Sequence, residues 1–523
     1  MNQEIELKMA LEANQLERLR RHPLVRTLAQ KRARTETLVS TYFDTPEHSL
    51  RRKGIALRVR RIGERRIQTL KTRAEAGSAS LQRRREFEAE LQQDTPDLTL
   101  IEDEALRQSL IEQGLEQKLG PVFTTSISRR TIPLRFADSE MELALDTGEI
   151  TAGEARLPIS EAELELTSGK PTRIFELALA LSERIPFMLE RQTKAKRGYD
   201  LHQPDELNPV KSAAIALTPD MTAAEAFVRM ARSCLDQILA NEPVVFDGRD
   251  PEGVHQMRVG VRRFRALIAA FKPMINPDSF DYLRSELRWL QQALGPAREW
   301  DVFADETLAQ LEKRLSEAQG LALLREGAEA ERTEAYTAAR AALRHRRYTA
   351  FLLRSDLLLA EGTWSNTTGV SENGAGPLTI GALARDILER NDAKLRKLSR
   401  KHRKLKDAEL HRVRILGKKM RYSVEFFRSL YPKRTIERHL ALLKSIQDTL
   451  GSLNDAVVGR HLLDALDVRA AKIRMKAQAR ADLKLGAALL HGWQAANIER
   501  DLKQFGAIWP DYRKADRFWR AKG

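Results

Sequence analysis

HQMRVGVRRFR at 255–265 reappears as HRVRILGKKMR at 411–421, and LQQALGPARE at 290–299 as IQDTLGSLND at 446–455. Both pairs keep one offset, 156 residues from His255 to His411 and from Gly295 to Gly451. Two motifs held at one spacing mean that this half of the chain is duplicated, with pseudo-symmetry in the fold. His255, Arg258, Arg262, Arg263 and Arg265 correspond to His411, Arg414, Lys418, Lys419 and Arg421. At about 100° per residue, Arg258, Arg262 and Arg265 lie within about 80° of His255, beside an apolar arc of Met257, Val261, Phe264 and Ile268. The second copy repeats this with Val413, Met420 and Val424. Each helix is expected to bury one edge and to present a His and bases next to it. From Lys394 to Arg421 there are 13 Lys or Arg and two acids. Charge that dense repels itself and points to a polyanion that neutralises it.

The texture changes near 203–219, where QPDELNPVKSAAIALTP reads as a linker. Beyond it the period is helical, with the best internal break at 372–381. Before it, short alternating runs between turns predict an antiparallel β domain. LTLIEDEALRQSLIEQGL (98–115) and Pro171–Glu183 carry helical spacing. The expected organisation is a β domain over 1–202, a linker over 203–220, a duplicated helical domain over 221–505 and a tail over 506–523.

Alternation in the β half puts charge on one face of strand after strand. EIELK aligns Glu4, Glu6 and Lys8; IALRVR aligns Arg58 and Arg60; QTLKT offers Lys71. RREFE aligns Arg84, Glu86 and Glu88, and EAELEL aligns Glu161, Glu163 and Glu165. MELALD gives Glu142 and Asp146, TSISRR gives Arg129 or, one register away, Arg130, and Lys194 and Arg197 follow at the end. A surface strand usually mixes Thr, Ser, Gln and Lys. Acids paired on some strands and bases on others suggest a closed barrel with a charged lumen. Its bases would hold a phosphate chain, and its acids Mg²⁺ or Mn²⁺ through carboxylate oxygens.

The formal net charge of +16 fits an anionic partner. No stretch approaches the ~20 apolar residues of a membrane span. Cys234 is the one cysteine, which suits a reducing compartment and a cytoplasmic chain. Aromatics are only 6% and few sit among the bases, which argues against nucleic acid. No P-loop, zinc spacing or nucleophile elbow is present. His345 and His402 read as members of exposed basic faces. No protein partner is evident.

The ordered set E-x-E-x-K, YFDT, R-x-R, TLK, R-x-E-x-E, LD-x-G and E-x-E-L-E-L over about 1–202 resembles the CYTH family of triphosphate tunnel enzymes. The paired H-x-x-R-x-x-x-[RK]-[RK]-x-R and L-G motifs over about 221–505 resemble a CHAD domain. Together they are similar to bacterial CYTH–CHAD inorganic triphosphatases. The resemblance implies an α+β chain: an eight-stranded antiparallel tunnel, then an all-α domain of two pseudo-symmetric bundles that binds inorganic polyphosphate. It implies hydrolysis of tripolyphosphate to pyrophosphate and phosphate. It assigns phosphate contacts to Lys8, Arg58, Arg60, Lys71, Arg84, Arg129 and Lys194, and places Glu4, Glu6, Asp146, Glu163 and Glu165 around metal, with Glu4, Glu6, Glu163 and Glu165 as the expected clamp. Glu86, Glu88, Glu142 and Glu161 would buttress these. Adenylate cyclases and thiamine triphosphatases share the tunnel, and a chain acting chiefly at polyphosphate granules is the other alternative. One departure is Arg298 after the first L-G element against Asn454 after the second.

Overall fold

The computed structural model describes residues 3–72, 80–315, 318–365, 378–398, 405 and 407–520. Part of the break at 372–381, His402 and most of the basic run at 399–406 lie outside these residues. The chain forms two compact units, 3–207 with 343–362, and 208–342 with 363–520.

In the first unit, β1 (Gln3–Ala10), β2 (Arg34–Asp44), β3 (Ala56–Ile62), β4 (Arg65–Lys71), β5 (Gln82–Leu91), β6 (Gly120–Phe136), β7 (Ser139–Ala152) and β8 (Ala155–Ser168) form one antiparallel sheet. Pairing of β5 with β1 closes it into the expected eight-stranded barrel, which leaves no open edge. A two-residue strand, β9 (Met188–Leu189), pairs with Met9 and Ala10. Turns between paired strands are tight: Gly153 joins β7 to β8 with φ +58°, where a side chain would be strained.

Helices α1 (Ala13–Arg20), α2 (Pro23–Leu28), α3 (Ser49–Arg52), α4 (Glu104–Glu112), α5 (Thr172–Ser182) and α6 (Lys194–His202) decorate the barrel. The helical spacing at 98–115 is only partly realised. Asp103 accepts a hydrogen bond from the Leu106 amide and starts α4 there, in extended backbone that separates it from a short 3₁₀ turn at Leu98–Leu100. Strand alternation sorts the barrel's two faces. Leu7 and Met9 join Leu143, Leu164, Phe175 and Leu177 in an outer core. Phe43, Leu57, Val59 and Leu70 make a second outer core under α4. Fully burying one such side chain stabilises the fold by roughly 1.5–3 kcal/mol.

The second unit holds α7 (Ala223–Ala240), α8 (Glu242–Asp247), α9 (Glu252–Ala270), α10 (Pro277–Ala293), α11 (Gly295–Asp301), α12 (Ala309–Glu312) and α13 (Leu321–Arg344). α14 (Arg346–Glu361) belongs wholly to the barrel unit, packed on α5. The helical unit resumes with α15 (Ile380–Leu398), α16 (Asp407–Phe426), α17 (Lys433–Thr449), α18 (Gly451–Lys472) and α19 (Ala477–Lys514). The repeat is explicit here: α10 and α17, α11 and α18, and α13 and α19 each begin 156 residues apart. The copies diverge after α11, where Val302–Leu308 forms a π-helical turn while its counterpart stays α-helical within α18.

The chain departs from the expected boundaries at two places. The linker stretch is tied down from Val210, whose amide and carbonyl both bond to the Asn241 side chain. The tail is also integral, because Trp509, Tyr512, Phe518 and Trp519 are buried and Arg517 pairs with Asp392. No described helix is long and apolar enough to cross a membrane.

Candidate functional site

The charged faces of the strands meet in a lumen of about 680 Å³. Register sets the neighbours. Glu6 lies opposite Glu165 and Lys8 opposite Glu163; Glu4 lies opposite Arg84; Lys71 lies opposite Glu86; Arg129 lies opposite Asp146. Glu142 stands opposite Glu165 on the same face. Asp44, from the YFDT stretch, works behind the site. It accepts from the amides of Thr45, Leu50 and Arg51 and from the Tyr199 hydroxyl, and so ties α3 to α6.

One end of the charge network is saturated. Lys8 Nζ donates to Glu163 at 2.7 Å and lies 3.1 Å from Glu6. Arg129 grips Asp146 through two bonds of 2.8 and 2.7 Å and also reaches Glu163. Lys194 meets Asp146 at 2.8 Å, Glu163 at 2.9 Å, and Glu161, which also pairs with Arg197. Burial pushes the Glu163 carboxyl up, but Lys194, Lys8 and Arg129 together hold it well below the usual range. Arg129, not Arg130, is therefore the residue that the register turns inward.

The open part of the lumen is not balanced. Arg58 has the Tyr42 hydroxyl beside it and Glu86 at 3.9 Å, and Arg60 bonds to the Ser40 hydroxyl. Nε of Arg58 and of Arg84 are buried without a hydrogen-bond partner among the described residues. Burial, then Arg58 and Arg129, push the Arg60 guanidinium down to about 9. Across from them, Glu4 pairs with Lys71 at 2.7 Å, and Lys71 also lies 3.2 Å from Glu86. Burial, then Glu4 and Glu6, push the Glu165 carboxyl up to about 7; Glu6 is raised by burial and by Glu163 and Glu4, against Lys8. Thus one wall has excess positive charge and the other excess negative charge. Buried charge of either kind is costly without a counter-ion.

Two carboxylate groups bear on a metal. Asp146, Glu161 and Glu163 place oxygens within 4.8 Å of one another. Each already pairs with Lys8, Arg129, Lys194 or Arg197, so a cation there would compete with four bases. Glu4, Glu6 and Glu165 are not gathered as closely, but Glu4 and Glu6 have one lysine each, Lys71 and Lys8, and both crowd Glu165. Their oxygen donors and their like-charge crowding suit a hard divalent cation better. Of the expected clamp, Glu163 thus sits on the base-saturated side and the other three on the acidic side. Glu88 accepts from Thr69. Tyr42 lies in the lumen beside Arg58 and was missed in sequence, although strand alternation with Phe43 would have turned it inward.

The helical unit contains a second charged cavity, a cleft of about 840 Å³ between α9 and α16. Repeat symmetry governs its polar contacts. Arg265 bonds to the side chain of Gln291, and Arg421 to that of Gln447, 156 residues on. Arg258 donates to the Gln291 carbonyl at 2.9 Å, while Arg414 donates to Asn454 Oδ1 at 3.1 Å. A Cβ on Gly295 would come 3.3 Å from Arg258 Nη1, so the L-G glycine makes room for that guanidinium. Arg262, Lys418 and Lys419 complete the basic lining, with Arg284 of α10, which the motif comparison missed. Nε of Arg262 and of Arg414 are buried without a partner among the described residues. Burial, then Arg414 and Arg262, push Lys418 down to about 7. Burial, then Arg298, push His255 down to about 4.

Two expected members are elsewhere. Arg263 is buried, bonded to Gln237 of α7 and set over the Phe426 ring. It sits about 80° from His255 on the side away from Arg262 and Arg265, which faces α7. His411 is exposed and does not line the cleft. The copies part where their sequences do: Arg298 stands by His255, whereas Asn454 turns to Arg414.

Comparison with known proteins matches residues 2–199 to the CYTH domain and 229–464 to the CHAD domain. The chain is 31% identical to the inorganic triphosphatase of Haemophilus influenzae over 261 residues, covering 47% of this chain and 71% of that protein. It is 26% identical to an uncharacterized protein of Mycobacterium tuberculosis over 461 residues, 82% of each chain. The crystal structure of the CHAD domain from the plant Ricinus communis aligns with a TM-score of 0.50 and 30% identity, covering 59% of this chain and 98% of that one. With both domains matched in order and a relative of this identity and coverage, the chain belongs to the CYTH–CHAD family that includes the Haemophilus influenzae inorganic triphosphatase.

Proposed function

We propose that the barrel lumen hydrolyses inorganic tripolyphosphate to pyrophosphate and phosphate with Mg²⁺ or Mn²⁺, and that the helical cleft binds inorganic polyphosphate. The observation that carries the first part is the under-compensated cluster of Arg58, Arg60 and Arg84 in one lumen with the crowded carboxylates of Glu4, Glu6 and Glu165. A triphosphate supplies the missing negative charge on one side, and a divalent cation the missing positive charge on the other. Arginines grip phosphate oxygens through paired N–H donors and fix the chain's orientation. Lys8, Lys71, Arg129 and Lys194 act as held charges, oriented by Glu163, Glu4 and Asp146 before substrate arrives, and stabilise charge that develops on the transferred phosphoryl group. Glu4, Glu6 and Glu165 would hold the cation. When bound, it would supply charge neutralisation at phosphate oxygens and an activated water for in-line attack.

The same charge argument supports the second part, since Nε of half-buried Arg262 and Arg414 is buried without a partner among the described residues and Lys418 is depressed by burial and neighbouring cations. A phosphate chain without bases suits a cleft of this chemistry. The reading carries with it a cytoplasmic setting, at polyphosphate granules where these form.

The test is phosphate release from tripolyphosphate by the purified chain with each metal. Glu6→Ala, Lys8→Ala and Arg58→Ala are each expected to lower kcat/KM by about 100-fold or more. Full activity in all three overturns the lumen assignment. ATP and thiamine triphosphate assayed alongside, with cyclic AMP measured, read the substrate.

A further inference from the structure

α14 breaks the repeat. In the second copy the corresponding residues, from 502 onward, continue inside α19 and bury Phe505, Trp509 and Tyr512 in the helical unit. In the first copy the helix ends at Arg344, the His345 ring caps the Arg347 amide, and α14 packs with the barrel unit instead. It buries Leu353 in the outer barrel core with Phe175 and Leu177 of α5. The barrel is thus completed by a helix that the sequence places inside the helical repeat.

Two polar contacts of α14 touch backbone that leads into the lumen. Asp356, 3% exposed, accepts the Ser80 amide at 2.7 Å, just before β5. Two residues on, Gln82 accepts from Arg84 Nη2 at 2.6 Å and donates to the Arg191 carbonyl at 3.1 Å. Thr349 Oγ1 donates to the Phe187 carbonyl at 2.8 Å, immediately before β9. β9 pairs with Met9 and Ala10, the Glu190 amide donates to the Lys8 carbonyl at 2.9 Å, and the segment runs on to Lys194. Both segments meet at Gln82. We propose that α14 is a positioning element for the lumen: Asp356 and Thr349 fix the two backbone segments that aim Arg84, Lys8 and Lys194 at the phosphate chain. Neither residue touches the lumen, so each acts through others. The proposal rests on the reading of the lumen as a tripolyphosphate site.

A small displacement of a held group is enough to cost about 10- to 100-fold in reaction rate. The experiment compares the full chain with Asp356→Ala, Asp356→Asn and Thr349→Val, measuring kcat and KM for tripolyphosphate with Mg²⁺, tripolyphosphate Kd by calorimetry, and Tm. Asp356→Ala is expected to raise KM and Kd and to lower kcat, about tenfold in kcat/KM. Asp356→Asn keeps an oxygen that accepts from the Ser80 amide and restores most of that loss. Thr349→Val, nearly isosteric, raises KM in the same direction. KM and Kd of wild-type size in both Asp356→Ala and Thr349→Val, whatever the Tm, overturn the proposal. So does an Asp356→Asn chain as impaired as Asp356→Ala. If the wild-type chain releases no phosphate, the lumen reading fails by itself, and the tripolyphosphate Kd of the same variants decides the role of α14.

Discussion

Arg60 is the residue on which the charge balance of the lumen turns. It is a half-buried guanidinium with a hydroxyl for a partner and two other arginines pressing on it. Such a group costs the empty fold stability and returns it when an anion binds. Arg60→Met is therefore expected to raise the Tm of the free chain while weakening tripolyphosphate binding by about tenfold or more. Thermal denaturation and calorimetry check it; a lower Tm with unchanged affinity would make Arg60 structural. Lys418 gives a second residue-scale prediction. Burial and Arg414, with Arg262 and Arg258 also near and only Asp455 opposing, hold its ammonium near 7. The unfolded chain then binds more protons than the folded one between about 7 and the ordinary lysine value, so stability of the free chain rises with pH across that window and its gain is absent below it. A polyphosphate chain favours the protonated form and should flatten the rise, as should Lys418→Met. Tm measured from pH 6 to 10, with and without polyphosphate, tests this. At this scale the charged strand faces were legible because the pleat has period two and the charges repeat on many strands. Arg129 against Arg130 was not, because a one-residue slip reverses the faces and only the partner strand fixes it. Arg263 and His411 were misplaced because motif matching sees position in a helix and not which neighbour covers each side.

Among the elements, β1 does the most for the site with the fewest residues. Its inward edge supplies Glu4, Glu6 and Lys8, and its outward edge anchors Leu7 and Met9 in the core. α6 depends on a different device. Gly198 sits so close to Phe123 that a Cβ would come within 2.5 Å of three of its ring carbons. Phe123 is itself stacked on Tyr42, 4.4 Å between centroids, so the ring has little room to move. Gly198→Ala is expected to lift α6, lower stability by about 1–3 kcal/mol and reduce triphosphatase activity by displacing Lys194. Wild-type stability and activity in that variant would show that α6 is not seated as described. Nothing in a single chain marks Gly198 as this contact, since it arises between residues 75 apart. The extent of α4 was hidden for a related reason: the apolar spacing of 98–115 persists through a segment that Asp103 keeps extended. The π-helical turn at Val302–Leu308 likewise has no signature beyond the repeat's loss of likeness after the L-G motif.

For the whole molecule, two kinds of periodicity made the architecture legible: strand alternation before about residue 203, and the 156-residue offset after it. What they could not show is that a helix from within the duplicated half belongs to the barrel unit. Contiguous texture suggests contiguous domains, but α14 is amphipathic like its neighbours and only packing reveals which unit it completes. This changes how separability of the two proposed activities must be tested. Deleting 221–523 would remove the helical cleft and also strip the barrel of α14, so lost hydrolysis would carry no information about polyphosphate. Charge reversal inside the cleft avoids this. Arg262→Glu with Lys418→Glu replaces two inward cations without touching either α14 or the lumen. Each reversal puts like charge against a polyanion and is expected to weaken polyphosphate association by about 100-fold in combination. Tripolyphosphate hydrolysis should stay within about twofold of wild type, because neither residue lines the lumen or contributes to its charge network. Polyphosphate retention and phosphate release, measured on the same preparation, decide it. Retained association would remove the cleft as the binding surface, and parallel loss of both activities would mean that long polyphosphate and tripolyphosphate depend on one site.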